Sequence, residues 1–255
     1  MINNKTFDKS TSREFLKGEL KMISSVPIIE DFLSVQGEGP LVGSPAYFIR
    51  FRKCNYKNGC PVGCDTLDKM RELNEYDLDF HELSEKFKLV NHLVITGGEP
   101  TLYIDHIVSL FKFLSFDLDM TNSTIEIETN GYQLSELLSN IPSDFFLLIS
   151  RFQVNYSPKS YKIEEVVNLF DSLNKHRIDC YEDYICIKVV TWEHPKVERF
   201  IDDLGKISFP KENIWLMPWG STINELQSSF PCTFRLACKY GFRVSPRLHI
   251  MMDCL

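Results

Sequence analysis

The chain reads as an α/β protein in which a mostly parallel sheet is covered by helices on its outside. From Val26 onward, short apolar runs rich in β-branched and aromatic residues alternate with longer stretches of helical period. Those longer stretches suit crossovers between parallel strands; Ile163, Val166, Val167 and Phe170 fall on one helical face at 3.6-residue spacing. No Pro/Gly/Ser linker and no long-period repeat divides the 255 residues. The expected organisation is an N-terminal extension over 1–26, which lacks a clear apolar period, and one core domain over 27–255.

In chain order, strands are expected at 45–51 (PAYFIRF), 92–96, 124–128, 145–150 (FFLLIS), 184–190, 213–218 and 242–245. Helices are expected between them at 79–88, 103–115, 133–140, 163–176, 195–206 and 221–240. In parallel α/β folds the working residues collect in loops beyond the strand C-termini. Four motif segments fall there: Cys54 after the first strand, Gly97–Pro100 after the second, Asn130–Gly131 after the third and Pro218–Gly220 after the sixth.

Bulk properties exclude several classes. The net charge of -7 argues against non-specific binding to nucleic acid or an anionic membrane, which needs a basic surface. No apolar run is long enough to span a bilayer, and the first residues are too polar for a signal peptide. The protein is therefore expected in the cytoplasm, where its eight cysteines read as thiols and metal ligands rather than disulfides.

The segment CNYKNGCPVGCDT places Cys54, Cys60 and Cys64 within eleven residues of a Gly/Asn/Pro-rich loop. Thiolates suit soft metals and iron–sulfur clusters. A closed structural zinc site wants four ligands, and no fourth stands nearby, since the nearest histidine is His81. Three cysteines would leave one iron of a four-iron cluster open to a small molecule. A zinc site completed from afar, or a structural cysteine loop, is the alternative. TGGEP (Thr96–Pro100) ends a strand just before a helix, where paired glycines let backbone approach a charged ligand and Glu99 can accept from an ammonium group. ETNG (Glu128–Gly131) repeats the arrangement one strand later, with Glu126 and Glu128 on one strand face; a polar face with an Asn-Gly turn is the plainer reading. The loop SVQGEGPLVGSP leads into a strand whose Arg50, among apolar neighbours, needs either a ligand carboxylate or an internal ion pair. Arg247 and His249 can be read as core or as site rim.

In this order, SVQGEG, FIRF, the three-cysteine loop ending in CDT, TGGEPTL, ETNG, SPK and RVSPRLH resemble the 7-carboxy-7-deazaguanine synthase family, from about Ile29 to His249. That is a family of radical S-adenosylmethionine (SAM) lyases of the pathway to queuosine and related deazaguanines. The cysteine spacing here is C-x5-C-x3-C rather than the usual C-x3-C-x2-C, and Gly63 stands where an aromatic is common.

The resemblance implies an open, partial TIM-like β/α barrel of the radical SAM type. It implies a 4Fe-4S cluster on Cys54, Cys60 and Cys64, with SAM on the open iron. Gly63, Asp65, Gly98, Glu99, Ser157, Pro158, Lys159, Met217, Pro218, Trp219 and Gly220 would line SAM, and Thr66 would ligate Mg2+. Val35, Gln36, Gly37, Arg50, Thr96 and the chain end Leu255 would hold 6-carboxy-5,6,7,8-tetrahydropterin, with Glu128 against the substrate or the SAM ribose. The implied reaction is ring contraction with loss of ammonia, begun by hydrogen abstraction, and positioning does most of the protein's work. A homodimer and an electron donor such as a flavodoxin are also implied; direct nucleic-acid and membrane partners are not. Two other activities fit parts of the pattern: a glycyl-radical activase, and a non-enzymatic zinc or iron–sulfur module. The activase would need no pterin pocket, so the QGEG loop with Arg50 speaks against it.

Overall fold

The computed structural model describes residues 23–56, Cys60, Cys64 and 71–253. Its main sheet has eight strands in the order β10-β9-β8-β7-β6-β5-β3-β2. These are β2 (Glu30–Val35), β3 (Pro45–Phe51), β5 (His92–Gly97), β6 (Thr124–Thr129), β7 (Arg151–Tyr156), β8 (Ile185–Thr191), β9 (Ile214–Pro218) and β10 (Arg243–Val244). All neighbours run parallel except β2, which pairs antiparallel with β3 and places Glu30 opposite Arg50. A separate antiparallel pair joins β1 (Ser25–Ile28) to β4 (Tyr76–Asp79). β1 thus begins inside the expected extension, whose residues 1–22 lie outside the described ones.

Crossover helices cover the outer face. They are α1 (Phe80–Phe87), α2 (Ile104–Asp117), α3 (Leu134–Asn140), α4 (Phe145–Leu148), α5 (Ile163–Lys175), α6 (Pro195–Leu204) and α7 (Ile223–Tyr240), followed by a short α8 (Leu248–Met251) near the chain end. Their limits follow local chemistry. Asp79 caps α1 by accepting from the amides of His81 and Glu82. Thr222 and Glu225 form a reciprocal capping box on α7, which ends at Gly241 in a left-handed conformation.

One expected strand is corrected. Residues 145–150 do not form a strand: Phe145–Leu148 is a helical turn, and the strand is Arg151–Tyr156. A short apolar run has no period that separates strand from helix. Phe145 stacks on Phe111 at 4.5 Å, whereas Leu147 is 85% exposed, so the run packs on one side only. The strand β7 was hidden because Gln153 and Asn155 break its apolar character. The strands β1, β2 and β4 also went unseen, being short or polar on one side.

The sheet does not close by strand pairing. Instead, the loop after β2 meets the segment after β10: the Gly39 amide donates to Ser245 Oγ at 2.9 Å and the Leu248 amide to the Gly37 carbonyl at 2.8 Å. Gly37 is required by this approach, since a Cβ there would lie 1.9 Å from His249 Nδ1. The result is a partial barrel latched across its open side by two loops.

Asp31 ties the edge of the barrel together. It accepts from Tyr47 Oη at 2.7 Å, Lys86 Nζ at 2.7 Å and Tyr76 Oη, joining β2, β3, β4 and α1. Burial would raise its carboxyl, but Lys86 and the two tyrosines outweigh that and hold it below 3.8. Asp31→Asn is expected to destabilise the fold by about 1–3 kcal/mol at neutral pH. Because the folded carboxyl is the stronger acid, that stabilisation is complete above the unfolded value and fades as pH falls below 3.8. Urea midpoints at pH 7 and pH 3 check this; a gap between the two proteins that does not narrow at pH 3 would contradict it.

Candidate active site

Alternation along the strands gives the sheet two unlike faces. Tyr47, Ile49, Leu93, Ile95, Ile125, Ile127, Val154, Ile187 and Val189 are fully buried against the helices. Their neighbours point into the barrel and are largely polar. Across adjacent strands Arg50 stands beside Thr96, Glu126 beside Gln153, and Glu128 beside Asn155. A buried polar group is costly unless hydrogen-bonded, so a polar lining inside a protein core needs its partners accounted for.

The partners are there. Glu126, fully buried, accepts from Gln36 Nε2 at 2.7 Å and from Asn155 Nδ2, and meets His92 Nε2 at 3.0 Å. Burial, reinforced by Glu128, holds its carboxyl above the usual range against the hydrogen bonds from His92 and Gln36. Glu128 accepts from Thr96 Oγ1 at 3.2 Å and Lys188 Nζ at 3.2 Å, with Gln36 Nε2 at 3.5 Å. Lys188 also donates to Glu38 Oε2 at 2.5 Å, and Arg247 Nε to Glu38 Oε1 at 3.0 Å. Burial alone would raise the Glu38 carboxyl, yet Lys188 and Arg247 hold it well below its ordinary range. The same pairing works the other way for Lys188: burial would lower its ammonium, and Glu128 and Glu38 hold it above normal. Burial pushes His249, 3.9 Å from Glu38, down.

At the C-terminal edge of the sheet the motif turns are stitched to one another. Glu99 is fully buried and accepts from Thr101 Oγ1 at 2.7 Å, Thr129 Oγ1 at 2.5 Å and the Asn130 amide at 2.6 Å, so it braces the TGGEP turn against ETNG. The Glu99 amide donates to the Lys53 carbonyl at 2.7 Å, and Asn130 Nδ2 to Asn55 Oδ1 at 2.7 Å. The stem of the cysteine loop is thereby held by both turns. A Cβ on Gly98 would lie 2.1 Å from the Lys53 carbonyl oxygen, which explains the second glycine of the pair. Ser157 joins the Thr129 carbonyl through its amide at 2.8 Å, and Lys159 Nζ donates to Ser157 Oγ at 3.0 Å. Just beyond β9, the Trp219 amide donates to the Thr191 carbonyl at 2.9 Å, and Arg247 Nη1 to the Gly220 carbonyl at 2.6 Å.

Cys54, Cys60 and Cys64 are each half-buried and free of disulfides. The Cys60 thiol is held up by its hydrogen bond to Cys64 and by burial, the Cys54 thiol by burial, while Lys159 draws both the other way. Among the described residues no three His, Cys, Asp or Glu side chains gather around one point that would hold a single metal ion. A four-iron cluster asks for thiolates that ring a cube, each on a different iron. Three half-buried thiols in one loop, beside the cation of Lys159, fit that donor set.

The structure brings Gln36, Gly37, Thr96 and Glu128 together on the concave face, with Val35 half-buried at the end of β2. Arg50 pairs through Nε with Glu30 Oε1 at 2.5 Å, the internal ion pair left open by sequence, while its two terminal nitrogens meet no acceptor among the described residues. Gly98, Glu99, Ser157, Pro158, Lys159, Met217, Pro218, Trp219 and Gly220 lie on the C-terminal edge. Gly63, Asp65, Thr66 and Leu255 lie outside the described residues. Sequence reasoning missed Lys188, Asn155, His92 and the role of Glu38. A lysine within the apolar run ICIKVVT carried the same signal as Arg50 in its strand.

No family model matches the chain. Over 204 aligned residues it is 31% identical to the 7-carboxy-7-deazaguanine synthase of Clostridium acetobutylicum, covering 75% of this chain and 80% of that protein. It is 28% identical to the protein of the same name from Pyrobaculum aerophilum, covering 89% and 94% of the two chains. Among solved structures, the crystal structure of QueE from Escherichia coli superposes with a TM-score of 0.56 over 86% of this chain and 92% of that one; at 21% identity this likeness concerns the fold.

Gly98→Ala tests the packing of the turn against the cysteine stem. The clash is expected to cost about 1–3 kcal/mol and to lower the iron bound per chain after anaerobic reconstitution. Thermal midpoint and iron content read this; no change in either would show that the turn does not abut the stem.

Proposed function

The chain belongs to the 7-carboxy-7-deazaguanine synthase family, and from that premise we propose that it converts 6-carboxy-5,6,7,8-tetrahydropterin to 7-carboxy-7-deazaguanine with loss of ammonia, as a radical SAM lyase. One observation carries the reading: a concave, polar, hydrogen-bonded face of the partial barrel opens toward the edge where three cysteines and two glycine turns are held. When bound, the cluster and SAM supply a single electron and a carbon radical able to abstract hydrogen.

The chain's own residues bind, orient and shield. Cys54, Cys60 and Cys64 would hold the 4Fe-4S cluster. Gly98, Glu99, Ser157, Pro158, Lys159 and Met217 to Gly220, with Gly63 and Asp65, would line SAM. Val35, Gln36, Gly37, Arg50, Thr96 and Leu255 would hold the pterin. The terminal nitrogens of Arg50 can take its carboxylate while Nε stays on Glu30, because a guanidinium offers five donors in a fixed fork. Glu128 faces the same space and can accept from the pterin ring or the SAM ribose. The polar groups are already paired before substrate arrives, so little reorganisation is needed on binding. Thr66 would supply an oxygen ligand to Mg2+, a hard cation that also suits the substrate carboxylate.

The proposal extends to a single working domain over 27–255, a homodimer, and an electron donor of the flavodoxin kind. Among the described residues no helix is long and apolar enough to cross a membrane. A reducing cytoplasm suits the free thiols.

Anaerobic incubation of reconstituted protein with SAM, Mg2+, a reductant and the carboxylated tetrahydropterin, read by mass spectrometry, should yield the deazaguanine acid. Recovery of unchanged pterin from fully cluster-loaded protein would reject the reading. Cys60→Ala is expected to abolish formation of 5′-deoxyadenosine; a parental rate in that variant would remove Cys60 from the cluster. Arg50→Ala should raise the pterin KM about tenfold or more, equivalent to about 1.4 kcal/mol, with SAM affinity unchanged. An unaltered KM would take Arg50 out of the site.

A further inference from the structure

Lys188 is the buried cation at the centre of the polar face. Its side chain is 5% exposed, and it sits on β8 between two carboxylates from distant parts of the chain, Glu38 Oε2 at 2.5 Å and Glu128 Oε1 at 3.2 Å. Glu38 belongs to the loop after β2, which also carries Gln36 and Gly37, and its other oxygen takes Arg247. Glu128 ends the polar row of β6 and is reached by Thr96 and Gln36 as well. A lysine in such a place is tolerated only because both partners neutralise it, and loss of the cation would leave two carboxylates facing each other in low dielectric. The loop's other ties run elsewhere, from Gln36 Nε2 to Glu126 at 2.7 Å and through the backbone of Gly37 and Gly39 to Leu248 and Ser245, so Lys188 is the group that links Glu38 to Glu128.

We propose that Lys188 is a positioning residue for the pterin half of the site, fixing Glu128 and the loop of Gln36 and Gly37 in one geometry relative to each other. It acts through those groups rather than by reacting. The inference rests on the function proposed above, since it assigns that loop and Glu128 to substrate. It separates the two halves of the site: SAM and cluster residues sit on the C-terminal edge, braced by Glu99 rather than by Lys188.

In cluster-loaded protein, Lys188→Met is expected to cut kcat/KM for the pterin about 100-fold, mostly through KM, with the SAM dissociation constant within about twofold of the parent. Lys188→Arg, which keeps the charge, should recover part of the loss. Parallel weakening of SAM and pterin, equal damage in both variants, or no change would each overturn the proposal. Where Lys188→Met does not fold, Lys188→Met/Glu38→Gln removes one charge of each sign, and the same split is expected. Amide exchange of the ligand-free protein gives a reading independent of turnover. Residues 36–43 should exchange about tenfold faster in the variant relative to amides of β6. Unchanged protection there contradicts the positioning role even if the parent protein leaves the pterin intact, a result that would count instead against the proposed function.

Discussion

The ion pairs of Glu38 with Lys188 and Arg247 are the constraint on which the rest of the site depends. They join three segments far apart in the chain: the loop after β2, the strand β8 and the segment after β10. A partial barrel has two sheet ends that strand pairing does not satisfy, and here the gap is bridged where β2 and β10 hand over to loops. Buried ion pairs add little net stability, because desolvation offsets most of the attraction, but removing one partner costs about 3–5 kcal/mol. Such a pair specifies geometry more than it strengthens the fold. Arg247 extends the linkage by donating to the Gly220 carbonyl, just beyond the end of β9.

The two faces of the sheet divide the work. The outer face supplies stability through apolar burial against the helices, at about 25 cal/mol per Å2 of surface removed from water. The inner face gives up only a small patch, Ala46, Phe48 and Val94 with Phe32, to that task. Its hydrogen-bonded carboxylates, amides and cations are preorganised for a polar ligand. The turns at the C-terminal edge do a third job, since Glu99 and Asn130 hold the stem of the cysteine loop in place without themselves being thiol ligands.

Much of this was legible in the sequence, and the failures have a common cause. The strands PAYFIRF, HLVIT and TIEIE could be read because their apolar faces are continuous, and the motifs lie just beyond their ends. β7 was misplaced because Gln153 and Asn155 are buried polar residues, held by Tyr184 and Glu126, so the strand lost the apolar signature by which strands are recognised. β2 escaped for a related reason: Asp31 and Glu30 pair with Lys86 and Arg50 at the barrel edge. Arg50 drew notice as a charge in an apolar strand, and the structure gives it the internal ion pair with Glu30. Lys188 carried the same signal. Its partners Glu38 and Glu128 are 150 and 60 residues away, a pairing that no local pattern contains.

The central claim is that the latched concave face is a preformed pterin pocket, and a crystal structure of the cluster-loaded protein with SAM and the carboxylated tetrahydropterin, grown anaerobically, tests it most directly. The account predicts the pterin within hydrogen-bond reach of Gln36, Thr96 and Glu128, with Glu38 still on Lys188 and Arg247. A pterin seated elsewhere, or one that enters this face only after Glu38 has left both cations, would contradict it.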